Sequence, residues 1–143
     1  MNKVLSTPKA PAAIGPYSQG VQACNMVFVS GQLPFIPETG VLLEGSVGEM
    51  TVQCMKNIEA ILAEAGCTLA NVVKTTIFLK DLNDFAEVNA AYATFFPANP
   101  PARACVQVAK LPRDAKVEIE AIAARCPAGV TLDPFRDWVG TPL

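Results

Sequence analysis

The chain predicts an α+β domain, a mixed sheet carrying two helices on one face. Three features point there. Two stretches place apolar residues at helical spacing: Cys54, Ile58, Ile61, Leu62 and Ala65 in the first, and Phe85, Val88, Tyr92 and Phe95 in the second. A β-branched and aromatic run, 72–79, separates them. Two further strand-like runs, about 103–108 and 117–124, follow in close succession. With the opening strands the predicted order is β-β-α-β-α-β-β.

The first strand material spans 21–31, where Val27, Phe28 and Val29 are strand formers and Ser30-Gly31 ends the run. Asn25 predicts a turn that splits this stretch into two short strands. Pro34, Pro37 and Gly40 make the next segment a loop. Ser46, with Glu49 three residues later, has the spacing of a capping box and starts the first helix. Gly66 stops it. Asn83 or Asp84 is placed to cap the second helix, and Pro97, Pro100 and Pro101 end it. The last two strands read as a hairpin across the turn at 111–116. Ala104, Val106 and Val108, with Val117, Ile119, Ala121 and Ala123, would form its core face. Arg103, Cys105 and Gln107, with Glu118, Glu120 and Ile122, would form a face mixing charge and apolar groups. Such a face suits a subunit interface that contains a polar site.

Composition narrows the function classes. Hydrophobic residues make up 51% and charged residues 17%, the balance of a folded globular domain. Eleven basic residues against thirteen acidic give a net charge of −2 with no basic block, which weighs against capture of nucleic acid. No apolar run reaches membrane-spanning length, and the N-terminal stretch lacks the apolar core of a signal peptide. Five cysteines without CxxC spacing predict reduced thiols and a cytoplasmic setting. Histidine is absent, which removes Ser-His-Asp and Cys-His catalysis and His-ligated metal sites. No metal site is expected.

Arg103 is a permanent cation with a planar fork of donors, set in a strand that otherwise carries no charge. It reads either as half of an ion pair with Glu118 or Glu120, or as a clamp for the carboxylate of a small acid. Glu118 and Glu120 share a strand face; each is a structural partner for a cation or, near neutral pH, a base for a water. Cys105 reads as an inert thiol whose backbone carbonyl can still hold a water. Tyr17, in the Gly/Pro-punctuated run Ile14-Gly15-Pro16-Tyr17-Ser18-Gln19-Gly20, reads as packing or as a pocket wall. Ser30 and Gly31 offer backbone donors at a strand end.

Several of these pieces resemble the Rid family of reactive-intermediate deaminases. They are Ala13 to Gly20, Ser30-Gly31-Gln32, Val73 to Thr76 with Phe78 to Phe85, and, most specifically, Pro101-Ala102-Arg103 through Glu118-Ile119-Glu120-Ala121. The resemblance runs to about residue 126, leaving 127–143 as a C-terminal extension that carries Phe135 and Trp138. It implies a chorismate-mutase-like fold and a homotrimer, with the sheets forming an inner barrel, the helices outside and the sites in clefts between subunits. It implies hydrolysis of 2-aminoacrylate and 2-iminobutanoate to 2-keto acids and ammonia, with no cofactor. Carried over by position, Arg103 would bind the substrate carboxylate. Glu118 would position the attacking water, with the carbonyl of Cys105. Tyr17, Ser30, Gly31 and Asn89 would line the pocket. The alternative is a non-catalytic trimer that binds 2-keto acids or amino acids as a regulator or chaperone-like surface.

Overall fold

The computed structural model describes residues 1–125; the extension at 127–143, with Phe135 and Trp138, lies outside the described residues. Among the described residues eight strands and two α-helices form the expected α+β layers. The strands are β1 (Lys3–Leu5), β2 (Gly20–Ala23), β3 (Met26–Gln32), β4 (Phe35–Ile36), β5 (Val41–Leu42), β6 (Val72–Leu79), β7 (Ala102–Gln107) and β8 (Val117–Ala124). The helices are α1 (Val47–Ala63) and α2 (Phe85–Ala93). Six strands form the main sheet in the order β1-β2-β3-β8-β6-β7, and β4 and β5 form a separate small hairpin.

Local chemistry accounts for most boundaries. Ser46 caps α1: its hydroxyl accepts the Glu49 N–H at 3.1 Å while the Glu49 carboxylate accepts the Ser46 N–H at 2.8 Å. Gly66 takes φ +70° just beyond the helix, a conformation that favours glycine. The β2–β3 turn is Cys24-Asn25, with Cys24 in the left-handed region at φ +52°. At α2 the expectation needs adjusting. Asp84 occupies the cap position without a side-chain bond, and Asp81 instead caps a preceding 3-10 turn by accepting the Asn83 N–H at 2.9 Å.

The short β1 and the β4–β5 hairpin were not expected from sequence, since two- and three-residue strands show no measurable alternation. The larger correction concerns the end of the chain. β7 and β8 are not a hairpin. β6 lies between them, parallel to β7 and antiparallel to β8. The connection from β7 to β8 steps over one strand, and β7 becomes a free sheet edge.

The core fills the space between the helices and one sheet face. Ile58, Ile61 and Leu62 of α1 meet Ile77, Leu79, Val117 and Ile119, all fully buried. Two buried carboxamides hold the loops around this core. Gln19 accepts the Thr7 N–H at 2.7 Å and donates to the carbonyls of Thr7, Ala10 and Pro11 at 3.0, 3.2 and 2.7 Å. Asn57 donates to the carbonyls of Leu33 and Phe35 at 3.2 and 3.0 Å. The opposite sheet face bears Phe28 and Val106, 44% and 43% exposed, together with the half-buried Phe78 and Ile122.

Replacing Asn57 by alanine removes the side-chain donor from both loop carbonyls, leaving Leu33 only the Phe35 N–H at 2.8 Å, and takes the acceptor from the Gln53 side chain. It should cost about 1–3 kcal/mol, the penalty of leaving buried polar groups unpaired. Urea unfolding checks this, and a change below about 0.5 kcal/mol would mean that water replaces the carboxamide.

Candidate active site

Arg103 stands on the edge strand β7 on the helix-facing side, opposite Thr75 of β6. α2 supplies its surroundings from one face of the helix, because Phe85, Asn89 and Tyr92 follow at i, i+4 and i+7. The Asn89 Oδ1 accepts a 2.8 Å hydrogen bond from the Arg103 Nη1. The guanidinium carbon lies 5.0 Å from the Tyr92 ring centroid and 5.6 Å from that of Phe85, within cation–π range of both. Tyr92 is itself fixed by a 2.7 Å hydrogen bond with the Thr75 hydroxyl. No carboxylate pairs with Arg103 among the described residues, where the one ion pair is Lys80–Asp114. A guanidinium has five N–H donors, and Asn89 takes one. The side chain is thus oriented but not neutralised, the condition of an anion receptor.

The expected alternative, an ion pair of Arg103 with Glu118 or Glu120, is ruled out by register. Glu118 pairs with Phe78 and Glu120 with Thr76 on β6, whereas Arg103 pairs with Thr75. Thr75 points into the helix layer, while Thr76 and Phe78 point out of the other face. Arg103 and the two glutamates therefore lie on opposite faces of the sheet, not on the shared face expected of a hairpin.

Cys105 follows Arg103 on the same side. Burial raises its thiol pKa and the Arg103 charge only partly offsets this, so the thiol is held protonated and is no nucleophile. Its backbone is more useful. Val108 donates its N–H to the Leu79 carbonyl at 3.0 Å, so by strand alternation Val106 and Ala104 also turn their backbone groups toward β6. Arg103 and Cys105 then direct theirs to the open edge, where the Cys105 carbonyl is available to a water.

A second cluster forms on the other face. The register of β3 against β8 passes from Val29–Ala121 to Gln32–Ile119, so Ser30 and Gly31 together oppose Glu120. This is a β-bulge, which locally re-aims side chains. β3 continues through Ser30 and Gly31 rather than ending there. Gly31 packs directly on Glu118: a Cβ added to it would fall on the carboxylate. Ser30 is less free than expected, since its hydroxyl donates to the Ser18 carbonyl at 2.6 Å and its N–H to the Gln19 carbonyl at 3.0 Å. It anchors the segment that carries Tyr17. Tyr17 is 52% exposed, and its hydroxyl accepts the Ile14 N–H at 3.3 Å. Tyr17 and Gly31 line one cavity together with Ile14, Leu33 and Phe35. Burial raises the pKa of Glu118, and the neighbouring Glu120 raises it further.

The seven expected site residues thus fall into two groups, Arg103, Asn89 and Cys105 on one side and Glu118, Gly31, Ser30 and Tyr17 on the other. Sequence reading missed Phe85 and Tyr92 as the cradle of Arg103, counting them only as an apolar stripe. Their spacing about Asn89 carried the signal.

The family model described as endoribonuclease L-PSP matches residues 7–125. This chain belongs to the Rid family. Among its Rid relatives, the mouse 2-iminobutanoate/2-iminopropanoate deaminase is 54% identical over 127 residues, covering 89% of this chain and 94% of that protein. The protein of the same name from Salmonella typhimurium is 53% identical, covering 87% of this chain and 99% of its own. The crystal structure of E. coli TdcF with bound serine superposes with a TM-score of 0.83 at 47% identity, covering 87% of this chain and 99% of that one. The expected Rid fold is therefore observed.

Glu118 should titrate above an ordinary glutamate. Glu120→Gln removes a neighbouring negative charge, which eases ionisation of Glu118 and should lower its midpoint. Carboxyl-carbon NMR of the labelled protein reads both, and an unmoved midpoint would leave burial as the sole cause.

Proposed function

We propose that this Rid protein hydrolyses 2-imino acids and their enamine tautomers, 2-aminoacrylate and 2-iminobutanoate among them, to 2-keto acids and ammonia. It does so without a cofactor, in a site shared by two subunits of a homotrimer. The observation that carries the proposal is the uncompensated Arg103, locked by Asn89, Phe85 and Tyr92 with most of its donors unused. Such a fork grips a carboxylate through two parallel hydrogen bonds. The serine held by TdcF carries a carboxylate, and the mouse and Salmonella relatives are named for imine substrates. Turnover is favoured over a purely regulatory binding role on that ground. The net charge of −2 and the lack of histidine weigh against RNA as substrate, despite the name of the family model.

The two-sided arrangement supports the trimer reading. A substrate a few ångströms long cannot touch Arg103 and Glu118 of one chain through the sheet between them. Two chains solve this when the Arg103 edge of one meets the Glu118 face of the next, and that contact covers Phe28, Val106 and Ile122, which a monomer exposes wholly or in part. Arg103 then binds the carboxylate. A water sits between the Cys105 carbonyl and the Glu118 carboxylate of the neighbouring subunit. Its oxygen forms a bond to C2 of the iminium while Glu118 accepts its proton. Glu118 returns that proton to the nitrogen of the resulting carbinolamine, the C2–N bond breaks to release ammonia, and the hydroxyl proton passes to Glu118 and on to solvent as its oxygen becomes the keto group. The raised pKa keeps Glu118 basic enough to take that proton.

Arg103→Lys keeps the charge but loses the fork, and should lower kcat/KM for 2-iminobutanoate by about 10–100-fold. Glu118→Gln should lower kcat by about 10²–10⁴-fold. Both are read by coupling the protein to a threonine dehydratase and following imine decay; wild-type rates would refute the assignments. Light scattering should report about three times the 15.1 kDa chain mass. Co-expressing the two inactive variants should restore about a quarter of the sites by random assortment of chains. No recovery in mixed trimers would place both residues in one subunit's site.

A further inference from the structure

The cavity bounded by Tyr17 and Gly31 has a volume of about 200 Å³. Its remaining walls are largely apolar, chiefly Ile14, Leu33, Phe35 and Pro37. It is a built feature. The two loops that form it are pinned from below by the two buried carboxamides: Gln19, 4% exposed, holds residues 7–11, and Asn57, 0% exposed, holds Leu33 and Phe35. Arg113 adds an outer contact, its guanidinium carbon 6.0 Å from the centroid of the Phe35 ring. Gly31 lines the cavity and also packs directly on the Glu118 carboxylate, so the cavity adjoins that group through a residue with no side chain.

That geometry has a consequence for the substrate. If Glu118 delivers water to C2, the substrate stands beside Gly31, and a substituent on C2 has the cavity lined by Gly31 and Tyr17 within reach. A methyl or ethyl group would leave most of the space as water against apolar walls. An apolar cavity of about 150 Å³ accommodates a benzene ring, so about 200 Å³ is room for an isobutyl or benzyl group. We propose that the Tyr17–Gly31 cavity receives the side chain of the 2-imino acid, and that this protein prefers 2-imino acids bearing branched or aromatic apolar side chains to those bearing methyl or ethyl. Ile14, Leu33 and Phe35 are then specificity residues. The proposal rests on the deaminase reading above and adds the substrate class. The chemistry is unchanged: water adds across C2=N, ammonia leaves, and the keto acid keeps its side chain.

The test uses 2-imino acids generated in situ by a flavin-dependent L-amino-acid oxidase from alanine, 2-aminobutyrate, leucine and phenylalanine. Each additional buried methylene is worth about four-fold in kcat/KM. The leucine-derived imine should therefore exceed the alanine-derived one by about ten-fold or more. Leu33→Trp fills the cavity and should reduce that ratio at least about ten-fold. Ile14→Phe, at a residue 85% exposed and hence tolerant in folding, should reduce it in the same direction. A wild-type ratio at or below one, or a ratio that neither variant moves, overturns the assignment while leaving the deaminase reading intact. Failure of the wild type to hydrolyse any of the four imines overturns both.

Discussion

Strand β6 sets the geometry on which the rest of this protein depends. It holds Arg103 opposite Thr75 and Glu118 opposite Phe78. Positions 75 and 78 differ by an odd number, so in a pleated strand they face opposite sides. One hydrogen-bonded ladder thereby fixes where a cation and a carboxylate lie and prevents them from neutralising each other. A slip of one residue in either ladder would move one of them through the sheet.

The separation gives each charge its chemical character. Had the two met, Arg103 would have spent its fork on Glu118, and Glu118 would have been held ionised and weakly basic. Apart, Arg103 is steadied by groups that leave its charge intact: an amide oxygen and two ring faces. Glu118 is pushed the other way, toward the proton, by burial and by Glu120. The two halves are thereby electrostatically complementary, and the proposed shared site rests on that complementarity.

The loops obey a similar economy. Gln19 and Asn57 lie in the apolar interior, where each carboxamide satisfies backbone groups that would otherwise be costly to bury. In doing so they stiffen the two loop segments that flank the Tyr17–Gly31 cavity. Preorganised walls discriminate between substrates better than walls that must be ordered on binding.

Much was legible in the residues themselves. Helical and strand periodicity located α1, α2, β6, β7 and β8, because burial of one face imprints its period on the sequence. The Ser46–Glu49 capping box and the Gly66 stop were readable because they are local chemistry. Arg103, Glu118 and Cys105 stood out as polar or reactive groups in apolar strands. By itself the sequence determined the fold class, the helices and the kind of chemistry available: a fixed cation, carboxylates and no imidazole. Tertiary structure alone decided that β6 runs between β7 and β8, that Ser30 and Gly31 form a bulge against Glu118, and that the two charges part to opposite faces. The physical reason is that strand pairing is non-local. Alternation says that Arg103 and Cys105 share a side, and that Glu118 and Glu120 do. Only the register with a strand some thirty to forty residues away says whether those sides are the same.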